Sequence, residues 1–336
     1  MKKSVWRKRV NRILMGTAVF LLLLAFTGVV YQVMGTKADQ RAYAPPGQMV
    51  DVGGYQLHIY CMGEGSPTVI LDHAGGTNSA EWGLVQPIVA GQTRVCAYDR
   101  AGFGWSDPAP TRRTAAQNAQ ELRTLLNNAG LEGPFVFVGH SYGANVARVF
   151  AAEFPAESAG LVLVDPGIVY GRPGVPADLD EIWRTADTGF MNIAPWLARL
   201  GVVRLAGALG GLPGRGDLPA GAFDAWQQTN LFYDTLKAQN QGMAETSTQV
   251  LAAEAQLVDE LLLVLSAGEP AGAESRDVWT AVNATLATYS ATGTHQVVSG
   301  ADHMSLTMNQ EYAQVTANAI LEMVAIVRGT AVATID

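Results

Sequence analysis

Apolar positions fall into three regimes along the chain. From Ile13 to Met34 they run almost unbroken for 22 residues, about 33 Å as a helix and enough to cross a hydrocarbon core of about 30 Å. From residue 48 they form short runs that alternate with helical periodicity. Gln48–Val52 and Tyr55–Cys61, joined by Gly53-Gly54, read as a hairpin. Thr68–Leu71, Thr93–Tyr98, Phe135–Val138 and Gly160–Val164 are continuous apolar strands of the kind buried on both faces of a parallel sheet. Thr114–Ala129 reads as a helix with a Thr114/Gln117 capping box and Gly130 as its stop, and Ala144–Phe154 as a second helix ended by Pro155. The third regime, residues 167–256, carries helical patterns without strand signals and has Gly/Pro breaks at 171–176 and 210–219. Strands return at Leu261–Leu265 and Thr294–Val298, with helices at Val278–Tyr289 and Gln310–Arg328.

Alternating strands and helices predict an α/β fold: a mostly parallel sheet with helices on both faces. The expected organisation is a basic tail (1–12), a transmembrane anchor (13–34), a polar linker (35–47), an α/β core (48–166 and 257–336) and a helical lid (167–256).

Charge sharpens this picture. The net charge of −8 divides into +7 for residues 1–41 and −15 for the rest, since eight Lys/Arg and one Asp lie in the first segment. Nucleic-acid affinity rests on phosphate neutralisation, so a body this acidic argues against such a partner. Lys2, Lys3, Arg7, Lys8, Arg9 and Arg12 precede the apolar run and should stay cytoplasmic, placing the remainder outside the inner membrane. A cleaved signal peptide, cut at Thr36-Lys37-Ala38, is the competing reading. The apolar run is longer than such signals use, which favours the uncleaved anchor. Cys61 and Cys96 are either two small buried hydrophobes or, outside the cytoplasm, a bridged pair.

The chemistry is concentrated where the strand Phe135–Val138 runs into Gly139-His140-Ser141-Tyr142-Gly143 and then a helix. Such a strand-to-helix turn strains the serine and exposes its hydroxyl at the C-terminal edge of the sheet. A serine hydroxyl needs a base. His140 is locked in the turn, His58 and His295 lie within strands, and His73 sits in a Gly-rich loop, which leaves His303, after the last strand, as the candidate. The oxyanion donors expected are the N–H groups of Tyr142 and of Gly75, in Leu71-Asp72-His73-Ala74-Gly75-Gly76. The acid that orients the histidine has two main candidates: Asp165, ending the strand Leu161–Val164, and Glu269, past Leu265. Asp165 leads; Glu274 and Asp277 are lesser alternatives.

These residues resemble the α/β-hydrolase superfamily, and within it membrane-tethered bacterial serine hydrolases. The resemblance is carried by Cys96–Asp107 (CAYDRAGFGWSD), by the Gly139–Gly143 turn and by Leu161–Asp165 (LVLVD), and spans residues 45–166 and 260–328. It implies the α/β-hydrolase fold, in which Asp99–Asp107 is a structural loop. It also makes the second and fourth strands neighbours, which would let Cys61 meet Cys96. In such proteins the acid usually stands about three residues beyond Gly268, where this chain has Ala271. Ala74 stands where the family usually has glycine, and Ala144 replaces a second glycine after the turn. Relatives with an aspartate nucleophile, the epoxide hydrolases and haloalkane dehalogenases, are disfavoured because Ser141 holds that place.

The expected function is cleavage of carboxylic esters through an acyl-Ser141 intermediate, with no cofactor or metal. Amide, thioester or acyl-transfer chemistry on the same residues is the nearest alternative, and a catalytically silent binding protein is the alternative from another class. Lid residues Trp183, Phe190, Trp196, Leu197, Leu200, Phe223, Trp226, Phe232 and Tyr233 are expected mostly to pack the small helices onto the core, and so apolar a lid with few cations suggests a small-molecule ester with an apolar acyl or alcohol group.

Overall fold

The computed structural model describes residues 2–167, 169–185, 188–210, 216–217, 221–270 and 273–330. Ala271, most of the 210–219 break and the side chain of Trp183 lie outside the described residues. The elements are α1 (Lys2–Ala42), β1 (Gln48–Asp51), β2 (Gln56–Met62), β3 (Val69–Asp72), α2 (Gln86–Ala90), β4 (Val95–Tyr98), α3 (Ala115–Asn128), β5 (Phe135–His140), α4 (Tyr142–Glu153) and β6 (Ser158–Val164). Six helices follow: α5 (Ala177–Thr185), α6 (Thr188–Arg199), α7 (Val202–Ala208), α8 (Ala222–Gln227), α9 (Asn230–Gln241) and α10 (Met243–Glu254). The chain then closes with β7 (Leu262–Ala267), α11 (Glu274–Ala287), β8 (Thr294–Val298), α12 (Ser305–Met308) and α13 (Gln310–Val327).

The strands form one sheet in the order β1-β2-β4-β3-β5-β6-β7-β8. The β1–β2 and β2–β4 pairs are antiparallel and the others parallel. The continuous apolar runs are explained by burial on both faces. Ile70, Phe137 and Leu161 pack with α3 and α4 on one side, whereas Leu71, Val138 and Val162 pack with α13 on the other. Thr114 caps α3 as expected, accepting from the Gln117 N–H at 3.3 Å. Cys61 stands opposite Cys96 in the β2–β4 register, and the two are joined by a disulfide.

α1 is long and apolar enough to cross a membrane. It does not stop where a linker was expected. Residues 35–42 continue the helix, because Lys37-Ala38-Asp39-Gln40-Arg41-Ala42 contains good helix formers and the chain meets no breaker before Pro45-Pro46. This part of α1 is docked on the helical insertion. Gln32 donates to the Gln228 carbonyl at 2.9 Å, and Asp39 pairs with Arg204 at 2.8 Å. A Cβ on Gly28 would stand 2.2 Å from the Leu200 carbonyl oxygen, so glycine is required for this approach. Of the expected linker, residues 35–42 are therefore an extension of α1, and only 43–47 connect it to β1.

Candidate active site

The turn after β5 is built by sterics. Ser141 sits at φ 53°, ψ −113°, between the end of β5 and the first residue of α4. A Cβ on Gly139 would lie 2.4 Å from the Ala144 nitrogen, and one on Gly143 would lie 2.4 Å from the Asp72 carbonyl oxygen. Gly139 thus lets β5 and α4 cross closely at the serine, and Gly143 lets α4 approach the end of β3. Among the described residues, Ser141 and Asp165 are the non-glycine residues at positive φ. Such strain persists where surrounding structure over-determines it, commonly at functional sites. Asp165, at φ 38°, directly follows β6, the strand beside β5.

His303 reaches the same place from the loop after β8. Its Nδ1 lies 2.6 Å from Asp165 Oδ2, which leaves Nε2 as the nitrogen available to Ser141. Ser141 and His303 line one cavity of about 650 Å³, together with Gly75 and Tyr142. The structure therefore brings together five sequence candidates: Ser141, His303, Asp165, Gly75 and Tyr142. The carboxylate that meets His303 is that of Asp165; Glu269 lies on the β7 loop, where its backbone N–H donates to the Ala301 carbonyl at 2.9 Å. Tyr142 is the first residue of α4, so its N–H has no acceptor within the helix.

Several supporting residues carry no sequence signal. Arg276 on α11 places Nη1 3.0 Å from both carboxylate oxygens of Asp165, and the Ala267 N–H donates to Oδ1 at 3.2 Å. His140 bridges the fully buried Glu81 to the His303 carbonyl, at 2.5 and 2.9 Å. It thus fixes the backbone that carries His303. Behind the oxyanion loop, Glu81 accepts the Ala74 N–H at 3.0 Å. Arg100 there donates to the His73 and Ala74 carbonyls at 2.6 and 2.9 Å. Asp99 organises its loop as expected, accepting from the Ser79 and Trp105 N–H groups at 2.6 and 3.0 Å. His58 and His295 have structural partners, Asp99 and Ser266, each at 2.9 Å.

Electrostatics favour a neutral imidazole. Burial pushes the His303 pKa below its ordinary value, and the charges of His140 and Arg276 act in the same direction, against the pull of Asp165. Burial alone would raise the Asp165 pKa, but the His303 and Arg276 interactions outweigh it and hold the carboxylate below its usual range. His140 moves the other way, raised by the Glu81 charge and hydrogen bond despite its burial. A base with a depressed pKa is deprotonated down to lower pH, so kcat/KM should fall off on the acid side only below pH 6.5, the ordinary imidazole value. Replacing Arg276 with glutamine removes a cation that lowers the His303 pKa, so the acid limb should move to higher pH. A pH profile on a short soluble ester checks this, and a limb that stays put or moves down refutes it.

Most of the described aromatics singled out in the insertion pack on the body, as expected, and do not line the cavity. Trp226, Phe232 and Tyr233 form a separate buried cluster with Phe103, Phe223 packs against Met308, and Phe190 and Trp196 point outward at 53% and 66% exposure. The cavity instead meets Met191, Leu236, Met243 and Trp279 on its apolar side. Its polar side chains include Asn145, Asn192, Lys237, Gln239 and Asn240. Helical periodicity located these helices without showing which stripe faced inward. Gln239, on α9, is buried, sits over Gly75, and has no hydrogen-bond partner for Oε1.

A sequence profile described as "Alpha/beta hydrolase family" matches residues 69–317, more than half of the chain. The chain belongs to the alpha/beta hydrolase family. Its relatives in this family include the 2-hydroxy-6-oxononadienedioate/2-hydroxy-6-oxononatrienedioate hydrolase 2 of Pseudomonas putida, 34% identical over 132 residues that cover 38% of this chain and 46% of that one. The matches span from 20% to 46% of the length of the curated relatives. A thermophilic esterase from Thermogutta terrifontis shares the fold with a TM-score of 0.61 at 22% identity, covering 83% of this chain and 98% of that one. An enol-lactonase from Burkholderia xenovorans LB400 does so with a TM-score of 0.56 at 18% identity, covering 82% and 99%.

Proposed function

We propose that the protein is a serine hydrolase that cleaves carboxylic esters through an acyl-Ser141 intermediate, held at the inner membrane by α1 with its hydrolase domain outside. The observation that carries this reading is the strained Ser141 opening into the cavity shared with His303, whose Nδ1 lies 2.6 Å from Asp165. Ser141 Oγ attacks the ester carbonyl while His303 Nε2 takes its proton. The N–H groups of Tyr142 and Gly75 stabilise the oxyanion. The intermediate collapses as His303 returns the proton to the leaving alcohol. Water, activated by the same imidazole, then frees the acid and restores Ser141. Asp165 holds the imidazole tautomer and balances its transient charge.

The mixed lining favours a substrate with both an apolar part, against Met191, Leu236, Met243 and Trp279, and a hydrogen-bonding substituent near Gln239 or Asn240. The same residues could open amides or thioesters, and a panel of matched acyl derivatives would rank them. The cations at the start of α1 and the disulfide favour the proposed orientation, since disulfides persist in oxidising compartments. A fluorophosphonate probe tests the chemistry. It should label the folded protein at Ser141 and fail to label Ser141→Ala; no labelling of folded wild type would leave a silent binding protein instead.

A further inference from the structure

The outer surface of α6 and α7 is apolar at helical spacing. Ile193, Trp196 and Leu200 form one stripe, and Val202, Leu205 and Leu209 continue it, with exposures from 38% to 79%. Three or four residues apart is the spacing of one helix face. The opposite face is accounted for, because Ala194, Ala198 and Val203 are buried against Phe232 and Tyr233. The exposed stripe is thus not the core-facing side of these helices. Contiguous exposed apolar surface of this kind marks a site of interaction.

Three observations identify the occupant. The first is depth. Leu200 and Gly201 pack on Gly28 of α1, which lies six residues before the end of the apolar run at Met34. At 1.5 Å per residue that is about 9 Å inside the run, and interfacial helices lie about 5–10 Å into the headgroup and acyl boundary. The second is the polar band above it. Arg204 sits against Gly35 and pairs with Asp39 at 2.8 Å, beyond the apolar end of α1. The third is charge. Residues 188–209 contain two arginines and no acidic residue, although residues 42–336 carry −15 overall. Trp196 also carries the Arg199 guanidinium 5.4 Å from its ring, with Arg199 drawn to Asp234 at 2.6 Å. Such tryptophans with neighbouring cations suit the membrane–water interface.

We propose that α6 and α7 are a second membrane element, lying in the interface of the leaflet on the hydrolase side with the Ile193–Leu209 stripe in lipid. The proposal rests on the reading of α1 as a membrane-spanning helix. It makes the insertion a surface that seats the molecule on the bilayer, in addition to forming a wall of the cavity through Met191 and Asn192.

The test uses the full chain in vesicles of phosphatidylcholine and phosphatidylglycerol. Because the chain's two cysteines are joined, Ile193→Cys, Leu205→Cys, Leu22→Cys and Gln314→Cys each supply one thiol for an environment-sensitive fluorophore. The labels at 193 and 205 should emit to the blue of the label at 314 and be quenched by lipids with a spin label near the headgroup. The label at 22 should be quenched by lipids carrying the spin label deep in the acyl chain. Labels at 193 and 205 that emit like the one at 314, while 22 reads lipid, would overturn the interfacial surface and leave the anchor standing. Shielding from water without lipid quenching would point to a second copy of the chain and also overturn it. A label at 22 that reads water would remove the anchor reading and this proposal together.

Discussion

Replacing Ser141 with alanine should lower kcat by a factor on the order of 10⁶, the loss seen when a serine nucleophile of this type is removed, while leaving the melting temperature close to that of wild type. Both halves follow from the turn. The hydroxyl supplies the electron pair that attacks the ester, and neither Tyr142 nor His303 can replace it. The backbone strain at φ 53° belongs equally to alanine, so stability should not change. Ser141→Gly separates these effects. Glycine adopts this conformation without the Cβ penalty, and relieving it should gain about 1 kcal/mol after the entropy of the freer unfolded chain is counted. That corresponds to a rise of roughly 2–4 °C, with activity lost as in the alanine variant. Steady-state turnover of a chromogenic ester, together with thermal unfolding, gives both readouts. Residual turnover within tenfold of wild type in Ser141→Ala would end the assignment of the nucleophile.

The second large effect concerns the carboxylate. Asp165→Asn should reduce kcat by about 10⁴, because an amide in this place favours the wrong imidazole tautomer and cannot balance the imidazolium. Glu269→Gln should remain within tenfold of wild type, since its loop leaves the His303 imidazole to Asp165, 2.6 Å away. The asparagine variant also leaves Arg276, 10% exposed, without its carboxylate. Stability should therefore fall, and kcat must be normalised to folded protein. A loss confined to Glu269→Gln would move the acid to the β7 loop.

Much of this was legible before any coordinates. Continuous apolar runs announced a sheet covered on both faces, and the Gly139–Gly143 pattern located the turn, because steric demands at a strand-to-helix crossing leave few residue choices. The choice between Asp165 and Glu269 was only partly legible: Ala271 at the usual place of the acid put Asp165 ahead without excluding Glu269. Both end strands that point at the same edge, and only the β6–β7 pairing and the left-handed backbone at Asp165 decide which carboxylate meets His303. Arg276 and the Glu81–His140 pair were silent because a lone arginine on a helix, or a glutamate 59 positions from its histidine, has no periodicity to betray it. Around α1, the apolar run marked a helix long and apolar enough to cross a membrane, but polar composition after Met34 suggested a linker. Composition alone does not reveal that Asp39 has Arg204 to meet.

With α1 seated in the bilayer as proposed, that unbroken helix governs how far the hydrolase domain can travel. A flexible connection of 13 residues would let the domain wander by roughly 20 Å. A stiff mast, braced by Arg204 against Asp39 and by the glycine contact at Leu200, holds it at one height and one orientation instead. On the proposed reading the active site meets whatever passes at that altitude, and lengthening the segment by flexible residues would widen its catchment while loosening its aim.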